Sequence, residues 1–461
     1  MTFDIQRITN GPKHHLFGFH DLLQTNAKGD MALSLEVDNI SRPPLPGDSC
    51  LSGVVPSRGG EFMPVHETHT WNYPQGSRQQ WMGDSDLFIC NDRDDSGMLF
   101  AWINDARARK SIDKIEFPVH CLSPDGRYGY WFDYNRVYAC LGYGYPPNGL
   151  CAKVWLSDIS VDDGIWKGDI KTGDKDLLVS IAEVAACGEK RIVRTGYPHY
   201  LTHLLLNPKG DRIAFLHRYS LVDGGETTRL MTIGSDGKGL RCLAKGFLSH
   251  FTWISDDELF IWGANQPQLY RMRESAWFRI PGMMKGAVLA KRAIKSFLCA
   301  EPFGANGGKR GTKGPVKSFL RIKDDKMSYI EGSAMGVLVE DGHPMANPGN
   351  RKVLVNDTYP DEDGIRTLMI YNLETGARND IGHFKMINDR PHLSSADVVR
   401  AQAGIDRRIV RCAPQERYLF TRSGFHCDLH PRWSHDGSVA YFDSIHEGTR
   451  QIYCVTFGNL E

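Results

Sequence analysis

A short polar turn ending in glycine returns three times along the chain, and a fourth time without its glycine. Ser123-Pro124-Asp125-Gly126 precedes the run Tyr128 to Phe132, and Asn207-Pro208-Lys209-Gly210 precedes Ile213 to Leu216. Ser434-His435-Asp436-Gly437 precedes Val439 to Phe442, and the degenerate Trp253-Ile254-Ser255-Asp256-Asp257 precedes Leu259 to Trp262. A tight turn in front of an apolar, aromatic-rich run is hairpin chemistry. Its return along a chain of 461 residues is what a β-propeller requires.

Weaker units fill the intervals. Gly29 to Val37, Asp86 to Asp92, Gly164 to Gly173, Asn350 to Asp357 and Thr367 to Gly376 each read as a strand with an adjoining turn. Together they make six or seven units of roughly 40 to 65 residues, the span of a propeller blade with its loops. The N-terminal run Phe3 to Ile8 is expected to complete the last unit, a closure that removes exposed sheet edges.

Charge and composition exclude several classes. Lys plus Arg and Asp plus Glu are 55 each, so no global field recruits nucleic acid. No run reaches the roughly 18 apolar residues of a membrane span, and Met1 to Asn10 lacks the apolar core of a secretory signal. Eleven cysteines, an odd number in no framework spacing, fit reduced thiols. These features lead to the expectation of a cytoplasmic protein. The absence of any dinucleotide or phosphate-loop fingerprint leads to the expectation that no organic cofactor is bound. One stretch breaks the pattern: Trp277 to Lys323 is rich in Lys and Arg. Its first part sets Met283, Met284, Val288, Leu289, Ile294, Phe297 and Leu298 against Lys285, Lys291, Arg292 and Lys295. The spacing predicts a basic amphipathic helix inserted in the single propeller domain, either packed on it, closing over an anionic substrate, or touching an anionic membrane surface.

The densest chemistry lies at His426-Cys427-Asp428-Leu429-His430. Cys427 and His430 have a C-x-x-H spacing able to place a thiolate and an imidazole on one ion, with His426 or Asp428 as a further ligand. Sulfur favours zinc; manganese is favoured if Asp428 takes the place of the thiolate. Arg218, at a strand end in His217-Arg218, is a planar donor suited to a carboxylate.

The sequence resembles the β-propeller polysaccharide lyases, most closely the ulvan lyase type and more distantly the oligogalacturonate lyases. The resemblance rests on His14 to Asp21, Thr70-Trp71-Asn72-Tyr73, Tyr143-Gly144-Tyr145-Pro146, Asp163 to Trp166, His203-Leu204, His217-Arg218, Ser249 to Trp253, Asn356 to Pro360 and Cys427 to Trp433. It implies an all-β, seven-bladed propeller that cleaves a uronic-acid-containing oligosaccharide or polysaccharide by β-elimination. It also implies His120, Tyr200, His203 and Arg218 as catalytic residues, and His250, Cys427 and His430 around one divalent metal, zinc or manganese. Phe19-His20 departs from the family pattern, where two tyrosines are usual. Two other functions compete with this one: a glycan-binding or glycan-hydrolysing propeller of surface-polysaccharide assembly, and a non-catalytic interaction propeller. The last would lack a convergent His/Arg/Tyr set.

Overall fold

The three glycine turns close as their residues dictate. The Gly126 amide donates to the Ser123 carbonyl at 2.8 Å, Gly210 to Asn207 at 2.9 Å and Gly437 to Ser434 at 3.0 Å. Their φ angles are +71°, +77° and +72°, a region that is cheap only without a Cβ. The Ser123 and Ser434 hydroxyls donate to Asp125 and Asp436, which explains the serine and aspartate of the repeat. Each turn feeds the strand expected after it: Tyr128–Phe132, Arg212–Ser220 and Val439–Ser444.

The structure, a computed structural model, describes residues 3–146, 158–221, 225–275, 317–325, 329–330, 333–387 and 420–458. Its strands form six antiparallel sheets, five of four strands and one of seven. In chain order the sheets begin at His14–Leu16, Gln80–Trp81, Cys121–Leu122, Tyr200–Leu206, Met345–Ala346 and Arg432–Trp433. The last is completed by the N-terminal strand Ile5–Arg7, which pairs with Gln451–Thr456. The expected closure is therefore present.

The expected count of seven blades is corrected to six sheets. Arg241–Trp253 is one strand of 13 residues. Its first half pairs with Glu226–Gly234 and its second with Glu258–Asn265, and Gly246 takes part in both ladders. Two successive sequence units thereby fuse into one seven-stranded sheet. Ser318–Lys323, the end of the stretch expected as an insertion, is a strand of that sheet, paired with Glu258–Asn265. The expected amphipathic helix falls in residues 276–316, outside the described residues.

Neighbouring sheets pack face to face. Ile89, Ala101 and Ile103 of one meet Phe117, Tyr130, Trp131 and Ile165 of the next, which in turn meet Ile213, Phe215 and Met231. Each such side chain contributes about 1.5–3 kcal/mol when fully buried. A repeated polar contact sets the spacing near the centre. The indole nitrogens of Trp81, Trp253 and Trp433 donate to the carbonyls of Gln24, Leu205 and Met345, at 3.1, 3.1 and 3.0 Å. In each case the acceptor belongs to the preceding unit, so the tryptophans latch successive units at fixed offsets. Among the described residues no helix is long and apolar enough to cross a membrane.

Candidate functional site

Five imidazoles from different units meet at one end of the propeller axis. The His250 and His343 rings lie 4.2 Å apart, His343 and His430 4.4 Å, His20 and His343 5.3 Å, and His203 and His250 5.8 Å, between centroids. Phe19 packs at 5.1 Å from both His203 and His430. Four of the histidines are buried, while His203 is partly exposed.

Local backbone irregularities aim these side chains inward. His203 sits in a one-residue bulge between Thr202 and Leu205, and His250 in one between Leu248 and Phe251; bulges re-aim side chains in this way. His203, His430 and Arg78 have φ of +59°, +42° and +55°. Three of the chain's four non-glycine residues with positive φ among the described residues therefore lie around this centre. Such strain persists where the surroundings hold it, commonly at functional sites.

The hydrogen bonds decide which nitrogen each ring presents. His430 Nδ1 is 2.8 Å from the Gly18 carbonyl and His20 Nδ1 is 3.2 Å from the Pro344 carbonyl. A carbonyl only accepts, so both Nδ1 atoms carry the proton and both Nε2 atoms keep their lone pair. His343 Nδ1 is held at 2.8 Å by Asp357, which also accepts from the His343 amide at 2.8 Å and the His430 amide at 3.3 Å. Asp357 thus orients one imidazole and the backbone of the next. This is the support that metal-binding histidines require.

His343, Asp428 and His430 present ligand atoms that all lie within 4.8 Å of one another. Burial opposes ionisation of Asp428, yet His426 and Arg366 hold it well below the usual carboxylate range. Arg366 lies 2.7 Å and His426 3.2 Å from its oxygens. Two imidazole nitrogens and an anionic carboxylate are a fitting donor set for a divalent first-row ion. Burial lowers His20, His203 and His430 well below the ordinary imidazole value. Burial also acts downward on His343, but Asp357 raises it overall.

The residues nominated from sequence are distributed unevenly. His430 belongs to the ligand group, and His250 stands beside it with Nδ1 near Asp341 at 3.2 Å. Cys427 is placed elsewhere. Asp428 and His430 join the ligand group, while Cys427 packs with Trp71 and Tyr73. Burial pushes its thiol up to about 12. Tyr200 and Arg218 are cross-strand partners. The Tyr200 hydroxyl donates to Glu226, and Arg218 lies 3.7 Å from the same carboxylate with its Nε lacking a partner. His120 lies on another wall, with Nδ1 3.1 Å from the Tyr134 hydroxyl and Nε2 4.0 Å from Asp21. Asp21 is gripped by Arg78 at 2.8 and 3.0 Å.

His343 was absent from the sequence-based set, although a pattern marks it. His203, His343 and His430 each stand four residues before Asn207, Asn347 and Ser434, the residues that open the turns at the far end of their strands. His343-Pro344 and His430-Pro431 even share the following proline. Tyr359, half-buried with its ring 5.5 Å from His343 and 6.2 Å from His250, carries no comparable mark.

No model of a protein family matches the sequence, and none of the curated proteins does. Solved structures do match in fold. An oligogalacturonate lyase in complex with manganese is 13% identical, with a TM-score of 0.55 over 99% of this chain and 94% of that one. An oligogalacturonate lyase from Vibrio parahaemolyticus is 12% identical, with a TM-score of 0.54 over 100% and 98%. The likeness to oligogalacturonate lyases is thus present in the fold; the closer likeness to ulvan lyases is not shown.

Proposed function

We propose that this chain is a lyase that cleaves a uronate-containing oligosaccharide by β-elimination, with one divalent metal held by His343, Asp428 and His430. The observation that carries the proposal is the convergence of three mutually close ligand atoms with the half-buried guanidinium of Arg218, which lies close to His203. The manganese-bound lyase of similar fold supports it, though a shared fold alone does not transfer chemistry.

Elimination requires a neutralised sugar carboxylate, a base for the C5 proton and an acid for the departing O4. When bound, the ion supplies Lewis acidity toward an anionic oxygen. Arg218 is the side chain suited to the uronate carboxylate, because its Nε lacks a partner and its nearest anion is 3.7 Å away. His203 is the base: it is the least buried member of the imidazole group, and the partial burial of its ring beside Arg218 keeps it neutral. His120, whose Nε2 lacks a partner, assists from the opposite wall. Tyr200 is the acid, held protonated by burial and by Glu226. Tyr359 is the phenol to compare with it, since it touches His250 and His343 directly.

The test is turnover of a panel of uronate oligosaccharides, followed by the ultraviolet absorbance of the unsaturated product, with the protein stripped by chelator and then reloaded with manganese or zinc. Activity that vanishes on stripping and returns on loading is expected. Activity indifferent to stripping removes the metal from the proposal, and reducing ends released without the unsaturated product point to a hydrolase.

A further inference from the structure

A second cavity opens beside the His120 wall. Its volume is about 350 Å³, and Trp131, Trp166, Phe132, Tyr134, Met98 and Lys175 line it. It lies between the sheet that begins at Gln80–Trp81 and the one that begins at Cys121–Leu122. Two of its walls belong also to the candidate site. The Phe132 ring is 4.6 Å from His120, and the Tyr134 hydroxyl is 3.1 Å from His120 Nδ1. Phe132 and Tyr134 thus stand between the cavity and His120.

Its interior has two chemical characters. Trp131 and Trp166 are cross-strand partners whose rings lie 6.2 Å apart and within 14° of parallel. Phe117 stacks on Trp131 at 4.6 Å and 7°, which fixes the indole orientation. The result is an aromatic stack held rigid by the sheet, with Trp131 buried inside it and Trp166 half-buried at its outer end. Polar groups stand around it. Lys175 is exposed, Asn135 contributes an amide, and Glu116 is already paired with Lys114 at 3.0 Å. An apolar lining with a few placed polar groups, at this volume, is the form of a small-molecule site.

A pyranose ring has the complementary form, with a C–H face on one side and hydroxyls at its edge. From this match, and from the closeness of its lining to His120, we infer that the cavity is a distal subsite that seats one sugar ring of the same uronate chain, with its C–H face against Trp166 and its carboxylate toward Lys175. The inference rests on the proposed lyase function and adds to it a preference for longer chains.

The experiment uses oligogalacturonates from dimer to hexamer as probes, with binding read by quenching of tryptophan fluorescence and cleavage read separately. In the parent, affinity should rise with chain length, and Trp166→Ala and Lys175→Glu should each remove roughly three- to tenfold of that gain. Lys175 is exposed, so its variant carries the test if Trp166→Ala fails to fold. Parent affinity that does not rise with length, or variants that keep the whole gain, overturns the subsite. Cleavage without any length gain leaves the lyase function standing and removes the subsite alone. Variant-sensitive binding of long chains without cleavage does the reverse, and a parent that neither binds nor cleaves any probe removes both.

Discussion

Acid should unfold this protein through a histidine pair remote from the metal ligands. Arg229 donates to His217 Nδ1 at 3.3 Å, and because a guanidinium cannot accept, that nitrogen carries no proton. His217 Nε2 must then be the donor to His199 Nδ1, 3.0 Å away. Both imidazoles are held neutral. Burial, with Arg229 beside it, lowers His199 from 6.5 to about 3, and burial puts His217 well below its usual value. A base whose folded value is depressed contributes stability that is fully present above the unfolded value of about 6.5. That stability is lost as pH falls, because only the unfolded chain takes up the proton. At pH 5 the His199 deficit spans about 1.5 units at about 1.4 kcal/mol each, or about 2 kcal/mol. Urea unfolding of the parent and of His199→Gln, at pH 7.5 and pH 5, isolates this contribution. The glutamine carbonyl can still accept from His217 but does not titrate. The parent should lose about 2 kcal/mol more than the variant between the two pH values. Equal losses, or a larger loss in the variant, would refute the neutral-pair assignment.

Other outcomes follow from the same contacts. Asp443, fully buried between Arg432 at 2.6 Å and Arg450 at 3.2 Å, also accepts from the Phe17 amide; Asp443→Asn should cost about 3–5 kcal/mol in denaturant unfolding. Asp357→Asn should weaken metal binding about 10- to 100-fold in competition with a chelator, with the fold retained by circular dichroism. Cys427→Ala should leave metal content at the parent level in elemental analysis, whereas His343→Ala should abolish it. Arg218→Ala should lower turnover roughly 100- to 1,000-fold, with a smaller change in substrate affinity.

The propeller was legible because its turns are chemically explicit. A polar residue three positions before each glycine, Ser123, Asn207 or Ser434, announces Gly126, Gly210 and Gly437, and the strands after them lie where the apolar runs place them. The number of sheets was not legible. Whether Gly246 and Phe247 break or continue a strand depends on partners supplied by Glu226–Gly234 and Glu258–Asn265, from opposite sides. The sequence marks His203, His250 and His430 as candidates, but the bulges and positive φ angles that bring their rings together are tertiary facts. Cys427 lies outside the ligand group for a tertiary reason: it is drawn into the apolar cluster of Trp71 and Tyr73, which its spacing from His430 does not reveal.

The most direct test of the central claim is the mass balance of cleavage. Oligogalacturonate is digested with manganese-loaded protein in ¹⁸O-labelled water, and the fragments are weighed by mass spectrometry. Elimination adds no water across the cut, so the two fragments should sum to the substrate mass, one of them unsaturated and neither carrying solvent oxygen from the cleavage. Fragments that sum to substrate plus one water, with the label incorporated, would contradict the account, as would no cleavage of any uronate chain.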